Sequence, residues 1–162
     1  NPVRLSEPKK AYRAIKGEVP DGDYLVPIGP ARIARAGRDL SAFAYGMMAH
    51  YTAQAAEQVA QEGIDVEVID LRTLLPVDKT AILESIQKTG KALIIYEDTL
   101  TMGYGAEVAA ILADEGFAYL DAPVRRLGPP DLPGVPYSHP MERFFLPDVD
   151  KIAAAMRDLA GY

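Results

Sequence analysis

From residue 31 onward, short apolar runs alternate with longer segments whose apolar residues recur every three or four positions. The short runs have the length of β-strands and lie at residues 31–35, 40–45, 66–71, 92–96 and 124–127. The periodic segments are typical of amphipathic helices and follow Gly46, Asp78, Gly103 and Asp148. Alternation of this kind needs right-handed crossovers that cover both faces of one sheet. The sequence therefore predicts an α/β fold, a three-layer α/β/α sandwich around a mostly parallel sheet.

Two of the predicted strands suggest details of that sheet. The run at residues 92–96, Ala-Leu-Ile-Ile-Tyr, is continuously apolar, as a parallel strand covered on both faces usually is. It predicts the centre of the sheet. The runs at 31–35 and 40–45 are separated by the turn-forming sequence Gly-Arg-Asp at 37–39, and together they predict a short hairpin-like entry into the domain.

Capping residues mark the ends of the predicted helices. Asp78 and Asp148 precede helical segments, where a carboxylate can accept hydrogen bonds from free backbone N–H groups. Gly63 and Gly90 follow helical segments, where a residue without a Cβ can adopt the left-handed conformation that ends a helix. These residues set the expected helix boundaries.

Residues 1–30 have a different character from the rest of the chain. Prolines at positions 2, 8, 20, 27 and 30 are too closely spaced for a long helix, so this segment is predicted to be an extended arm or interdomain linker. Its apolar residues, such as Leu5 and Leu25, are equally consistent with contact to a core or a partner and with a free linker. We expect the arm to pack along the outside of a single domain formed by residues 31–162.

Composition excludes several classes of function. The sequence has 162 residues and no Cys, which rules out disulfides, thiolate metal sites and a cysteine nucleophile. His50 and His139 lie far apart in sequence, so no metal site is predicted. The net charge of −6 gives no electrostatic reason to expect nucleic acid as a partner. Apolar stretches fall short of the roughly 20 residues of a membrane helix, and the first residues lack a signal-peptide core. We expect a soluble cytoplasmic protein.

The glycine turn Gly103-Tyr104-Gly105 is one candidate for ligand binding. It precedes a predicted helix, where free N–H groups and the helix dipole can hold an anion. A dinucleotide fingerprint would need a third glycine where this chain has Val108. Glu107, in the first helical turn, would also repel phosphate. The pattern therefore favours glycines that permit close packing of the helix on the sheet.

Side chains that could act as acids or bases lie at predicted strand ends and in loops. Glu97 and Asp98 end one strand and Asp70 ends another, at the edge where open α/β sheets usually bind ligands. Roles in turns and caps account for them more simply, because sequence spacing cannot show separated pKa values. His50 falls within a helix, and His139 lies in a predicted Pro-rich loop. We assign no catalytic residue.

Several ordered strings carry a resemblance to a known family. They are Glu-Val-Ile-Asp-Leu-Arg-Thr-Leu-Leu-Pro-Val-Asp at 67–78, Ser-Ile-Gln-Lys-Thr-Gly at 85–90 and Gly-Tyr-Gly-Ala-Glu-Val at 103–108. With them the chain resembles the C-terminal, transketolase-like domain of the β subunit of thiamine-diphosphate-dependent 2-oxoacid dehydrogenases, the E1 components. Residues 7–13 resemble the segment that leaves the preceding pyrimidine-binding domain. Residues 12–14, 18–20, 24–29 and 161–162 look more like branched-chain enzymes than pyruvate enzymes.

The resemblance implies a role within a larger enzyme. In this family thiamine diphosphate and Mg²⁺ lie between the α subunit and the N-terminal domain of β. This sequence resembles neither the α subunit nor that N-terminal domain. The complete α2β2 enzyme oxidatively decarboxylates a 2-oxoacid and acylates the lipoyl group of the E2 acyltransferase, in the cytoplasm or, in eukaryotes, the mitochondrial matrix. We therefore expect no catalytic, cofactor-binding or metal-binding residue in this chain and no activity from the chain alone. Its expected partners are an E1 α subunit and a second β subunit.

The resemblance also implies a docking surface for the peripheral-subunit-binding domain of E2. In related enzymes an acidic residue in a Leu-Asp-Ala-Pro segment and the terminal carboxylate of β meet basic groups of E2. The matching residues here are Asp121, in Leu-Asp-Ala-Pro at 120–123, and Tyr162. Opposed charges at an interface fix orientation and raise encounter rates. The simpler interpretation is that Asp121 starts a turn and Tyr162 is a frayed end.

Other functions remain open on the sequence alone. The chain is also compatible with the β subunit of a pyruvate or acetoin dehydrogenase. A stand-alone flavodoxin-like module would instead bind an anionic ligand at residues 103–105. A complete small enzyme would place Glu97, Asp98 or His139 in a cleft.

Overall fold

A five-stranded sheet forms the middle layer of the computed structural model, which describes residues 2–162. The strands are β1 (Arg32–Arg35), β2 (Leu40–Ala44), β3 (Val66–Asp70), β4 (Ala92–Ile95) and β5 (Arg125–Leu127). The helices are α1 (Ala11–Ala14), α2 (Met47–Ala60), α3 (Lys79–Thr89), α4 (Gly105–Asp114), α5 (His139–Phe145) and α6 (Val149–Ala160), with a 3-10 turn at Phe117–Tyr119.

The strand order is β1-β3-β2-β4-β5, and the pairs among β2, β3, β4 and β5 are parallel. Only β1 is antiparallel to its neighbour among the described strands. The predicted mostly parallel sheet is therefore confirmed. The strand predicted at the centre, β4, is completely buried, but the middle position belongs to β2. All five residues of β2 are buried because helices cover both of its faces and strands flank both of its edges.

The predicted hairpin between the first two strands is wrong. β1 pairs with β3, so that Arg32 lies opposite Asp70 and Ile33 opposite Ile69. The connection after β1 runs past the start of β3, where the backbone N–H groups of Arg38 and Asp39 both donate to the carbonyl of Asp65 at 2.9 and 2.8 Å. β2 is buried on both faces, and strands of this kind usually lie between two parallel neighbours. Here those neighbours are β3 and β4, so β1 is left at the edge of the sheet, beside β3.

Two apolar clusters fill the spaces on either side of the sheet. One contains Leu40 and Ala42 of β2 together with residues of α2 and α6, including Val59 and Met156. The other contains Phe43 of β2 and residues of α3 and α4. Alternate side chains of β2 therefore enter opposite cores, as the twofold periodicity of a strand requires. This confirms the three-layer α/β/α architecture.

The predicted caps at Asp78, Asp148 and Gly90 are in place, but α2 ends at Ala60 with Gln61 as its C-cap, two residues before the predicted Gly63. Asp78 accepts a hydrogen bond from the N–H of Ala81 at 3.0 Å, and Asp148 accepts one from Lys151 at 2.8 Å. Gly90 ends α3 in the left-handed conformation. The helix α5 was not predicted from the sequence, where the segment around His139 was interpreted as a loop. The ammonium group of Lys151 donates to the carbonyls at the end of α5, among them Leu146 at 2.7 Å, and so stabilises this short helix.

The arm, residues 2–30, meets the domain at two places. Near its middle, Ala11 and Ile15 pack against the cluster formed with α2 and α6. At its end, the N–H of Gly29 donates to Thr73 Oγ1 at 3.0 Å, and the N–H of Ala31 donates to Asp78 at 2.9 Å. Most other apolar side chains of the arm point into solvent, namely Val3, Leu5, Tyr12, Val19, Tyr24, Leu25, Val26 and Ile28.

Candidate partner-binding edge

Asp121 lies in the loop between the 3-10 turn and β5. Its backbone N–H donates to the carbonyl of Gly90 at 2.7 Å, which fixes this loop to the end of α3. The carboxylate lies directly over the Cα of Gly90, and the residue is exposed to solvent. No cation forms an ion pair with Asp121 among residues 2–162. The backbone that carries this charge is held in place, and no cation of the described residues neutralises the charge.

Tyr162 lies beyond the end of α6. Its N–H donates to the carbonyl of Leu159 at 3.2 Å, so the last turn of the helix holds its backbone. Tyr162 is 63% exposed, and the guanidinium of Arg125 lies 6.0 Å from the centroid of its ring. Arg125 also lies 3.9 Å from the carboxylate of Asp158. Tyr162 therefore lies next to the first residue of β5.

A chain of contacts places Asp121 and Tyr162 at the same edge of the molecule. Gly90 accepts the backbone hydrogen bond from Asp121. The next residue is Lys91, whose ammonium group donates to the carbonyl of Ala160 at 2.9 Å. Ala160 is the last residue of α6, two positions before Tyr162. The strands β4 and β5 both begin here, so this is the amino-terminal edge of the sheet. We call it the docking edge, defined by Gly90, Lys91, Asp121, Arg125 and Tyr162.

A buried polar network supports the docking edge from below. Glu67 is only 1% exposed, and its carboxylate accepts a hydrogen bond from Ser85 at 2.6 Å and binds the ammonium group of Lys88. The hydroxyl of Ser41 lies 2.5 Å from that of Ser85 and 2.6 Å from that of Thr89. These side chains connect β2 and β3 to the last turn of α3, because buried polar groups that satisfy each other specify one arrangement.

The carboxylates predicted at the opposite, carboxyl-terminal edge serve mainly local structure. Asp70 accepts from the guanidinium of Arg32 at 3.2 Å, and Asp98 accepts from the N–H of Thr99 at 2.8 Å. Burial raises the pKa of Glu97, and the positive charge of Lys10 partly offsets this. Asp70 and Asp98 are therefore engaged in local hydrogen bonds, whereas burial is the main influence on the pKa of Glu97.

The glycine turn at residues 103–105 is filled by an aromatic ring. Tyr96 is fully buried, and a Cβ added at either Gly103 or Gly105 would overlap its side chain. Tyr104 turns the other way, where its hydroxyl donates to the carbonyl of Leu74 at 2.5 Å. The close-packing interpretation of these glycines is the one that the structure supports. The space in which this turn would hold an anion is occupied by the side chain of Tyr96.

The histidines do not come together in one site. His50 is half-buried within α2, and His139 is an exposed first residue of α5, 3.6 Å from the carboxylate of Glu142. Within residues 2–162, no group of three or more histidine or acidic side chains is arranged to hold a metal ion. Over the same range, no helix is long and apolar enough to cross a membrane.

Sequence reasoning missed the residues that position the docking edge. Gly90 was expected only to end α3, and Glu67 was interpreted as one residue of a strand. A glutamate between apolar residues in a strand is a signal for a buried partner, but the sequence does not say that Ser85 and Lys88 provide it. The contact between Gly90 and Asp121 joins segments distant in sequence and leaves no local pattern.

Comparison with known proteins places these features in context. The model of the transketolase C-terminal domain family matches residues 29–152. The 2-oxoisovalerate dehydrogenase subunit beta of Bacillus subtilis (strain 168) is 48% identical over 162 residues, which are 100% of this chain and 50% of that protein. The acetoin:2,6-dichlorophenolindophenol oxidoreductase subunit beta of the same organism is 40% identical over 161 residues, covering 99% of this chain and 46% of that protein.

A solved structure shows the same similarity in three dimensions. It is described as a split-gene transketolase in an inactive β4 tetramer, and it aligns with a TM-score of 0.76 at 26% identity. The alignment covers 90% of this chain and 46% of that chain. The chain thus spans about half the length of the curated relatives it matches.

Proposed function

The chain belongs to the transketolase C-terminal domain family, and on that premise we propose that it is the C-terminal assembly and docking domain of an E1 β subunit. The complete enzyme would be a thiamine-diphosphate-dependent 2-oxoacid dehydrogenase that decarboxylates its substrate and acylates the lipoyl group of E2. A branched-chain 2-oxoacid is the favoured substrate, because the 2-oxoisovalerate dehydrogenase subunit is 48% identical and the acetoin enzyme subunit 40%. Its location would be the cytoplasm or, in a eukaryote, the mitochondrial matrix.

We propose that this domain by itself binds neither thiamine diphosphate nor Mg²⁺. The glycine turn at residues 103–105 is packed against Tyr96, Asp70 pairs with Arg32, and Asp98 accepts from the N–H of Thr99. A cofactor needs protein groups that orient and activate it. We infer that these groups belong to other parts of the complete enzyme and that this domain contributes none of them.

Exposed apolar side chains support an assembly role. Leu25 of the arm, Leu75 after β3 and Met102 before α4 are each at least 90% exposed. Met102 also has a positive φ of 61°, a conformation that is unfavourable for a residue with a side chain. Leu75 and Met102 line the same surface depression, and contiguous exposed apolar groups of this kind mark surfaces that a partner covers. The proposed partners are the E1 α subunit and a second β subunit.

The observation that carries the docking role is the geometry of the docking edge. Asp121 is exposed, fixed through its backbone to Gly90, and free of an ion-pair partner among the described residues. The cations nearby are engaged, since Lys91 binds the end of α6 and Arg125 faces Tyr162. A small basic domain, such as the peripheral-subunit-binding domain of E2, would find one uncompensated carboxylate here.

Calorimetric titration against the E2 binding domain of the same organism tests this role. Asp121→Asn in the complete gene product should weaken binding with little change in the fold, because shape is kept and charge is lost. Asp150→Asn is the matched control, since Asp150 is also charged and exposed but lies at the other end of α6. Unchanged affinity for Asp121→Asn would leave only the assembly role.

A further inference from the structure

We propose that Gly90 is a positioning residue for Asp121 and that it thereby controls the strength of partner docking. This inference rests on the docking role proposed above. It adds a residue that has no charge, makes no side-chain contact and would not be suspected from its chemistry. Its importance comes from the space that it leaves open.

The steric evidence is direct. A Cβ added at Gly90 would overlap the carboxylate of Asp121 and would lie 3.2 Å from its Cβ. The backbone of Asp121 cannot move away freely, because its N–H donates to the carbonyl of Gly90 at 2.7 Å. The least costly response to a side chain at Gly90 is therefore rotation of the carboxylate. The fold would survive, and the orientation of the charge would change.

The support beneath Gly90 is rigid. Gly90 follows Thr89, whose hydroxyl lies 2.6 Å from that of Ser41 on β2. The N–H of Gly90 itself donates to the carbonyl of Ile86 at 2.9 Å, and the carbonyl of Lys91 accepts from the N–H of Ser41 at 2.8 Å. The turn is thus fixed on both sides to buried elements, so it cannot shift to relieve an overlap.

Gly63 provides a matched control elsewhere in the chain. Both glycines have a positive φ in the turn that follows a helix, 69° at Gly90, the C-cap of α3, and 87° at Gly63, three residues beyond the end of α2. A side chain at Gly63 would meet open space, whereas one at Gly90 would meet Asp121. Alanine therefore introduces similar backbone strain at both positions, and only Gly90→Ala disturbs the docking carboxylate.

The experiment compares four main variants and one additional variant of the complete gene product, purified with the subunits that associate with it. They are Gly90→Ala, Gly63→Ala, Asp121→Asn and the double variant Gly90→Ala/Asp121→Asn. Binding to the E2 binding domain is measured by calorimetry, and association rates are measured at low and physiological salt. Gly90→Asn is added because asparagine tolerates the left-handed conformation with less strain but still carries a Cβ. Thermal melting confirms that each variant is folded.

We expect Gly90→Ala and Gly90→Asn to weaken docking by about tenfold, as misplacing one partner of an interfacial charge pair does. Gly63→Ala should bind as the parent does. In the Asp121→Asn background, Gly90→Ala should have no further effect, because the group through which it acts has lost its charge. The salt dependence of association should fall for Asp121→Asn and stay unchanged for Gly90→Ala, which keeps the charge.

Three results would overturn the inference, and they differ in what they mean for the docking role. If Asp121→Asn weakens docking but both Gly90 variants bind as Gly63→Ala does, the positioning role is wrong and the docking role stands. Independent, additive losses from Gly90→Ala and Asp121→Asn would have the same meaning. If Asp121→Asn leaves docking unchanged, the docking role fails, and the inference that rests on it fails too.

Discussion

At the scale of single residues, Glu67 stands out as a carboxylate that is almost completely buried. Burying a carboxylate is costly unless hydrogen bonds and an opposite charge compensate for the lost water. Glu67 has both, from Ser85 and from Lys88, and Ser85 extends the network to Ser41. The side chain of Lys88 is 44% exposed, so the pair opens to solvent at one end only. The network holds α3 at one place on the sheet.

Replacing Glu67 should therefore cost more than replacing an ordinary surface acid. Glu67→Ala leaves the Ser85 hydroxyl without its acceptor, and we expect a loss of about 2 to 3 kcal/mol in the free energy of unfolding. Glu57, which pairs with Arg35 at the surface, is the control, and Glu57→Ala should cost at most about 1 kcal/mol. Urea unfolding of both variants measures the difference. Equal losses would show that the buried network adds nothing.

At the scale of elements, position in the sheet decides what a residue contributes. β4 lies between two parallel strands and under helices on both faces, and Ile94 is 1% exposed. β1 is an edge strand, and Ile33 is 61% exposed. The two residues are chemically identical and both lie in strands. Their energetic roles differ because only one is surrounded by protein.

The same substitution in the two strands tests this difference. Ile94→Ala removes apolar contacts and leaves a cavity, and we expect it to cost about 2 to 5 kcal/mol. Ile33→Ala should cost less than about 1 kcal/mol, because solvent already surrounds that side chain. Chemical denaturation of the two variants gives both values. A loss below about half a kcal/mol for Ile94→Ala would contradict the burial of β4.

At the scale of the whole molecule, local patterns predicted the elements, and long-range contacts decided how they are arranged. The alternation of strands and helices and the caps at Asp78 and Asp148 depend on neighbours in sequence, so the sequence was sufficient for them. The order of strands was not predictable from such patterns, because β1 prefers the open edge of β3 to a turn back onto β2. Residues 120–123 suggested Asp121 as a docking residue by resemblance, but its support on Gly90 required the fold.

The two candidate contact surfaces lie at opposite edges of the sheet. The docking edge lies at the amino-terminal ends of the strands, and exposed apolar groups lie on the arm and beyond the carboxyl-terminal ends, at Leu75 and Met102. In the proposed assembly, separate surfaces would let one domain contact other E1 subunits and an E2 domain together. We therefore propose that this domain is a structural part of an enzyme whose chemistry takes place elsewhere.

Release of carbon dioxide from 2-oxoisovalerate tests that central claim most directly. The 162-residue chain and the complete gene product, assembled with its α subunit, are assayed side by side with thiamine diphosphate and Mg²⁺. We predict no release above background from the chain alone, because in our proposal the groups that position and activate the cofactor belong to other parts of the enzyme. We predict steady release from the assembled enzyme. Carbon dioxide release by the isolated chain would contradict the account, and so would an assembly that neither releases carbon dioxide from 2-oxoisovalerate or pyruvate nor forms acetaldehyde from acetoin.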